Sequence, residues 1–198
     1  MGKAFSDEER AEIKIALMES ALELFHEQGK KSLSIRELTK RAGISQGGFY
    51  TFWEDKDALI LDVIRYRAAQ KLEAIVPLFP ESLASPRKFW ADHLYSWCID
   101  LKVKILTKPI YQDSIKQLRR QSADDSNRMS AIYSDFLIRL SDYWHANQAV
   151  KEVDINGLIN LLAAIGVLMS EQIQLDGDYF DQLLRILIDG STERFIII

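Results

Sequence analysis

Cysteine is almost absent from this chain: Cys98 stands alone among 198 residues. That excludes an intramolecular disulfide framework and a zinc site built on cysteines. Proline (four) and glycine (nine) are scarce, which excludes collagen-like and linker-like composition. No apolar run reaches the ~20 residues of a membrane span. The longest, 155–169, contains Asn156, Gly157, Asn160 and Gly166 and reads as a buried helix. The polar stretch Met1–Arg10 lacks the apolar core of a signal peptide, so the chain is expected to be soluble and cytoplasmic. Neither charge sign dominates: 25 basic and 29 acidic residues leave a net −4. That argues against nucleic-acid binding by bulk charge, though not against a local basic face.

Catalytic patterns are missing too. His26, His93 and His145 show no metal-ligand spacing, and there is no phosphate loop or nucleophile elbow. Cys98 falls in an apolar helical stripe and reads as core. No enzyme activity, cofactor or metal is expected. What is present is apolar: 47% hydrophobic residues, with four Trp, seven Tyr and nine Phe, enough for a core.

Helical periodicity dominates and strand signals are weak. Ser6 and Glu9 form a capping box that opens a helix to about Gln28, with Ile13, Leu17, Ala21, Leu24 and Phe25 facing inward and Gly29 closing it. Ser34 with Glu37 predicts a second box over a short helix to Ala42. Gly43 allows a tight turn, and Ser45 caps a third helix to about Phe52. A fourth runs from Lys56 to about Val76, where Pro77 and Pro80 break it. Ser82–Pro86 is a candidate linker or loop. Further helices are expected over about 86–107, 110–121, 124–146, 154–175 and 178–193, so the fold class is all-α with about nine helices.

The informative stretch is Ser34–Lys56. Two short helices joined by a glycine turn form a helix-turn-helix pattern. Ile35, Leu38, Ile44 and Phe49 lock the pair, and Phe25 supports the second helix. Ser45, Gln46, Gly47 and Gly48 then project outward, where a helix fits the DNA major groove. Between Gly29 and Lys56 there are six basic residues (Lys30, Lys31, Arg36, Lys40, Arg41, Lys56) against three acidic ones, leaving 19 basic against 26 acidic elsewhere.

These residues resemble the DNA-binding domain of the TetR family of bacterial transcriptional regulators. Ala21, Leu22, Leu24, Phe25 and Gly29 match the end of the family's first helix. Ser34, Arg36, Leu38, Ala42, Gly43, Ile44 and Ser45 match the next motif, and Gly47, Phe49, Tyr50, Trp53 and Lys56 the last. The similarity covers about Ile13–Ile64. It implies a helix-turn-helix DNA-binding domain over 1–55 and an effector-binding and dimerisation domain over 56–198. The implied function is a ligand-responsive, homodimeric regulator, a repressor released from operator DNA by a small-molecule effector. A helical binding or adaptor protein that has lost operator binding is the alternative.

The resemblance also implies roles. Gln46 and Thr51 face base edges or the adjoining backbone, and Arg36 reaches a base or phosphate. Tyr50 and Lys56 hold phosphates. Ser34, Ser45 and the nearby backbone N–H groups of Gly47 and Gly48 add phosphate contacts. The bland readings stay open beside these: helix caps for the serines, a half-buried aromatic for Tyr50, solvent-facing cations for Arg36 and Lys56. Gly48 stands where many relatives have Thr, and Phe52 where the family often has His or Tyr. Two consecutive glycines cost roughly 1 kcal/mol each in helix propensity, so the recognition helix is expected to be loose until DNA orders it.

Past Val76 no local motif identifies a function. Trp90, His93, Trp97, Tyr111, Tyr133 and Phe136, with Tyr143 and Trp144 nearby in sequence, are candidates for an effector pocket or for ordinary core. The absence of a charged pair within an apolar face points to a neutral or hydrophobic effector. The helix 154–175 is apolar nearly all round and needs covering, and with the last helix it resembles the family's four-helix dimer interface. The tail Phe195–Ile198 is expected at or near that interface. A twofold dimer would set two recognition helices ~34–36 Å apart on a pseudo-palindrome.

Overall fold

The computed structural model describes residues 6–28, 34–107, 111, 123–171 and 177–198. Its helices are α1 (Asp7–Gln28), α2 (Ile35–Arg41), α3 (Gln46–Phe49), α4 (Lys56–Glu73), α5 (Phe79–Ser82), α6 (Pro86–Thr107), α7 (Ala123–Ala146), α8 (Ile155–Glu171) and α9 (Gly177–Phe195). A 3₁₀ turn, Val76–Leu78, links α4 to α5, and two short strands, β1 (Glu152–Val153) and β2 (Ile196–Ile197), pair antiparallel. The architecture is all-α, as expected. The expected helix 110–121 lies outside the described residues except for Tyr111, which is helical. So do Gly29, Lys30, Lys31 and the side chains of Phe25 and His26.

The chain forms two compact units, Met1–Arg67 and Ala68–Ile198. The division falls inside α4 rather than at the 55/56 boundary read from the sequence. The reason is packing: Leu59 and Val63 of α4 complete the same apolar cluster as Leu17, Leu24, Leu38, Phe49 and Trp53. The first turns of α4 therefore belong physically with the helices before it.

In the first unit, α1 opens on the predicted capping box. The Ser6 N–H donates to Glu9 Oε2 at 2.8 Å and the Glu9 N–H to Ser6 Oγ at 3.1 Å. Leu17, Met18, Ala21 and Leu24 are buried at helical spacing.

In the second unit, α9 packs along α6 and α8, and α7 against α8. Trp90, Leu94, Cys98 and Ile105 of α6 meet Phe136, Leu140 and Trp144 of α7, Leu158, Ile165 and Met169 of α8, and Phe180, Leu184 and Ile188 of α9 in one core. Ions fasten α6 to α9 at intervals: Arg185 Nη1 to Asp92 Oδ1 at 2.9 Å, and Lys102 Nζ to Asp181 Oδ1 at 2.6 Å. Asp154 caps α8, accepting the Gly157 N–H at 2.8 Å.

Two features correct the sequence reading. Ser82–Pro86 is not a linker: Ser82 is fully buried, and its hydroxyl donates to the Phe79 carbonyl at 2.6 Å and accepts the Trp144 indole N–H at 2.7 Å. The C-terminal tail forms a strand, with Glu152 opposite Ile197 and Val153 opposite Ile196. Arg87 Nε donates to the Ile196 carbonyl at 2.7 Å, and Ile196 is fully buried.

Candidate nucleic-acid interface

The turn between α2 and α3 is a complete Schellman motif. The Ile44 N–H reaches back to the Thr39 carbonyl at 2.9 Å and the Gly43 N–H to the Lys40 carbonyl at 3.3 Å. Gly43 sits at φ +69°, where a side chain is strained, and an added Cβ would meet nothing within 4 Å. The glycine is therefore required by backbone conformation, not by space. Ile44 is carried inward by this reversal.

Helix α3 spans four residues, Gln46–Phe49, instead of reaching Phe52. After it the chain tightens to i→i+3 bonds: Thr51 N–H to Gly48 at 3.2 Å and Phe52 N–H to Phe49 at 2.9 Å. Two glycines in a row give the α-helical pattern little support, which is the physical reason for the early end. Phe49 is fully buried and anchors the segment, a burial worth about 2–3 kcal/mol. Its neighbour Tyr50 is turned out, 59% exposed, with its ring edge-on to Phe49 at 5.4 Å.

The sequence-predicted residues cluster on this segment's exposed side. Ser34, Arg36, Ser45, Gln46, Gly47, Tyr50 and Thr51 are exposed; Gly48 and Lys56 are half-buried. Ser45 caps α3, its Oγ accepting the Gly48 N–H at 3.2 Å, so its O–H remains a donor. Thr51 Oγ1 donates to the Gly48 carbonyl at 2.7 Å. Ser34 occupies the N-cap position of α2 but its side chain makes no capping bond. The second capping box expected there does not form, because Glu37 turns along the helix to Arg41 at 3.2 Å.

Arg41 is also paired with Glu23 at 3.3 Å, so its charge is spent within the unit. Among the described residues, Arg36, Lys40 and Lys56 carry no ion pair. Lys40 is exposed and lies four residues after Arg36, hence on the same face of α2. The sequence reading counted Lys40 but gave it no role; its i,i+4 spacing from Arg36 was the available signal.

Behind this face, the Trp53 indole N–H, Lys14 and Arg65 all converge on Asp62. Burial alone would raise the Asp62 carboxyl, but these three donors overcome it and hold the group below its ordinary range.

The six effector-pocket candidates divide. Trp90, Trp97, Tyr111, Tyr133 and Phe136 belong to the one apolar cluster of the second unit. His93 instead donates from Nδ1 to the Phe89 carbonyl at 2.8 Å and lies against the Phe89 ring. Trp90 is buried, and its indole N–H has no partner among the described residues. Burial, with a smaller contribution from Cys98, raises the Tyr133 phenol, and burial pushes the Cys98 thiol up to about 12. A cleft of about 230 Å³ lies between the end of α4 and α7, lined by Ala69, Leu72, Glu73, Ile132, Asp135, Phe136 and Arg139. Of the six candidates, Phe136 alone lines it, and a Glu73–Arg139 ion pair forms part of its wall. Among the described residues there is no cluster of metal-ligating side chains, and no helix is long and apolar enough to cross a membrane.

Comparison with known proteins matches residues 17–63 to the bacterial regulatory proteins of the tetR family. A 50-residue stretch is 40% identical to the uncharacterized HTH-type transcriptional regulator YuxN of Bacillus subtilis (strain 168), covering 25% of this chain and 17% of that protein. The matched stretch thus spans under a fifth of that relative. Solved structures match the fold over nearly the whole chain. RolR in complex with resorcinol has a TM-score of 0.67 at 17% identity, over 97% of this chain and 91% of its own. A TetR transcriptional regulator from Rhodococcus sp. RHA1 has 0.65 at 16% identity, over 93% and 97%. FadR of Thermus thermophilus, in complex with lauroyl-CoA, has 0.59 at 16% identity, over 89% and 94%. By its matched helix-turn-helix segment and the fold that carries it, the chain belongs to the tetR family of bacterial regulatory proteins.

Proposed function

We propose that this chain is a ligand-responsive DNA-binding transcriptional regulator, a repressor that releases operator DNA when a small-molecule effector binds. The observation that carries this reading is the outward set Arg36, Lys40, Gln46, Tyr50, Thr51 and Lys56 on a helix pair seated by buried Phe49 and Trp53. Gln46 reads a base edge, where an amide pairs bidentately with adenine. Arg36, Lys40, Lys56 and the Tyr50 hydroxyl hold phosphates, with Ser34 and Ser45 adding hydroxyl donors. Gly47 and Gly48 keep the α3 backbone free to approach the duplex.

Residues 1–55 act as the reading head and 56–198 as the effector-binding and dimerisation part. Helix α8 buries Leu158, Leu161, Ile165 and Met169 and leaves Ala163, Ala164, Gly166 and Val167 exposed. Helix α9 exposes Tyr179, Leu183 and Ile186. A second copy covering these apolar faces makes the homodimer, and its twofold symmetry selects a pseudo-palindromic operator. The effector is a small organic molecule, a class that includes the resorcinol bound by RolR. It lodges among the aromatic residues of the second unit, where the buried Trp90 N–H offers a donor to an acceptor atom. The protein acts in the cytoplasm, as a binder and not as an enzyme.

The test is selection of bound duplexes from a random pool, with and without a small-molecule cell extract. The reading expects an enriched pseudo-palindrome that disappears with extract. No enriched motif at low salt, from a confirmed dimer, defeats it and favours the adaptor alternative. Linkage adds a second check, since effector and DNA must lower each other's affinity by the same factor.

A further inference from the structure

We propose that Arg10, on the first turn of α1, is a positioning residue for the recognition helix α3. The inference rests on the DNA-binding reading above, and its key readout is taken without DNA. Helix α3 is four residues long, and two of them, Gly47 and Gly48, have no side chain with which to grip the domain. Two of its bonds are local: Ser45 Oγ to the Gly48 N–H and Thr51 Oγ1 to the Gly48 carbonyl. They shape the turn without fixing it to the rest of the unit. Phe49 fixes one side by burial.

Arg10 fixes the other end. Its Nη2 donates to the Thr51 carbonyl at 3.2 Å, across 41 residues of sequence. The same guanidinium lies over the Phe52 ring, 5.1 Å from its centroid. The Thr51 carbonyl follows the last turn of α3, where carbonyls have no intrahelical partners. A planar cation can satisfy that carbonyl and stack on an aromatic ring at once, which a lysine ammonium does less well. The Ser6–Glu9 capping box holds the turn of α1 from which Arg10 projects. Phe52 thus has a defined task where relatives often carry His or Tyr: it seats Arg10. Tyr50 and Thr51, two of the proposed DNA contacts, lie between the buried Phe49 and this clamp.

The alternative role for an exposed arginine beside a recognition helix is a phosphate contact of its own, and the two roles separate experimentally. Amide hydrogen exchange of the free full-length protein is measured for wild type, Arg10→Ala, Arg10→Lys and Phe52→Ala. Affinity for the selected duplex is measured against salt in parallel. The clamp predicts about three- to tenfold lower protection at Gly48–Phe52 in Arg10→Ala and Phe52→Ala, with α6–α9 unchanged and Arg10→Lys intermediate. It also predicts weaker DNA binding with an unchanged salt slope. Unaltered protection in both alanine variants overturns it. So does a slope reduced by about 0.9 in Arg10→Ala with protection intact, which is the signature of one phosphate no longer neutralised. A wild type that binds no duplex, with protection still reduced in the variants, defeats the DNA-binding reading and leaves the clamp supported.

Discussion

The indole N–H of Trp53 donates to Asp62 Oδ2 at 3.0 Å, joining the residue that follows the recognition segment to the middle of α4. The same carboxylate receives Lys14 at 2.8 Å and Arg65 at 2.8 Å, so α1, α4 and the Trp53 turn meet at one group. Lys14 also lies over the Trp53 ring. Asp62→Asn keeps the shape but removes the charge that three donors share. A loss of about 1–3 kcal/mol is expected at neutral pH, since Arg65 is left largely buried beside a neutral amide. The pH dependence has a defined sign. The Asp62 carboxyl is held below its ordinary value of 3.8, so its contribution is complete above that value and fades as pH falls through the folded-state pKa. Denaturant melts of both proteins from pH 7 down to pH 2.5 should therefore converge at the acid end. A constant difference at every pH contradicts the assignment.

Gly43 supports a cleaner backbone test. Gly43→Ala introduces a side chain at φ +69° with open space around it, so only conformational strain is added. The expected loss is about 1 kcal/mol, and Gly43→Asn should recover part of it because asparagine tolerates the left-handed region. Urea midpoints of the two variants check the order. Equal losses in both would point to a steric cause instead.

At Gly157 the opposite cause operates. An added Cβ would lie 2.5 Å from Phe195 Cδ1 and 2.8 Å from Asp154 Oδ2, the residue that caps α8. Gly157→Ala is expected to cost about 1–3 kcal/mol through overpacking. Adding Phe195→Leu should return some of that loss, a coupling that a thermodynamic cycle reads directly. Strict additivity would contradict the contact.

The sequence-to-structure relation divides by the range of the interactions involved. The Ser6–Glu9 box, the Gly43 turn, the inward stripe of α1 and the Asp154 cap depend on residues three to eight positions apart and could be read from spacing. The outward set Ser45, Gln46, Tyr50 and Thr51 could be read through resemblance to a family motif. Long-range pairings could not. Nothing in the sequence announces that Arg41 is neutralised by Glu23, that Arg10 reaches Thr51, or that Ser82 is the buried partner of Trp144. The tail strand was hidden for the same reason: its pairing residues, 152–153 and 196–197, are far apart in sequence. Ser34 shows the converse, a correct position for a cap whose bond gives way to the competing Glu37–Arg41 pair.

The proposed DNA contacts differ in what they should do. Tyr50→Phe removes a phosphate hydrogen bond and should weaken binding evenly on matched and mismatched duplexes, by about three- to tenfold. Gln46→Ala should also relax base preference, reducing discrimination by about 1–3 kcal/mol at one position of each half-site. Competition binding against a panel of single-base variants checks both. Identical behaviour of the two variants on the panel contradicts the division of roles.

The central claim is that Arg36, Lys40 and Lys56 present charge to a DNA backbone. Its most direct test is the affinity of the full-length protein for its selected duplex across 50–200 mM salt, for wild type and for each residue changed singly to Met. The account predicts a steep linear fall of log affinity with log salt, and a slope shallower by about 0.9 for each phosphate that a variant no longer neutralises. A flat wild-type line, or three variants with the wild-type slope, would contradict it.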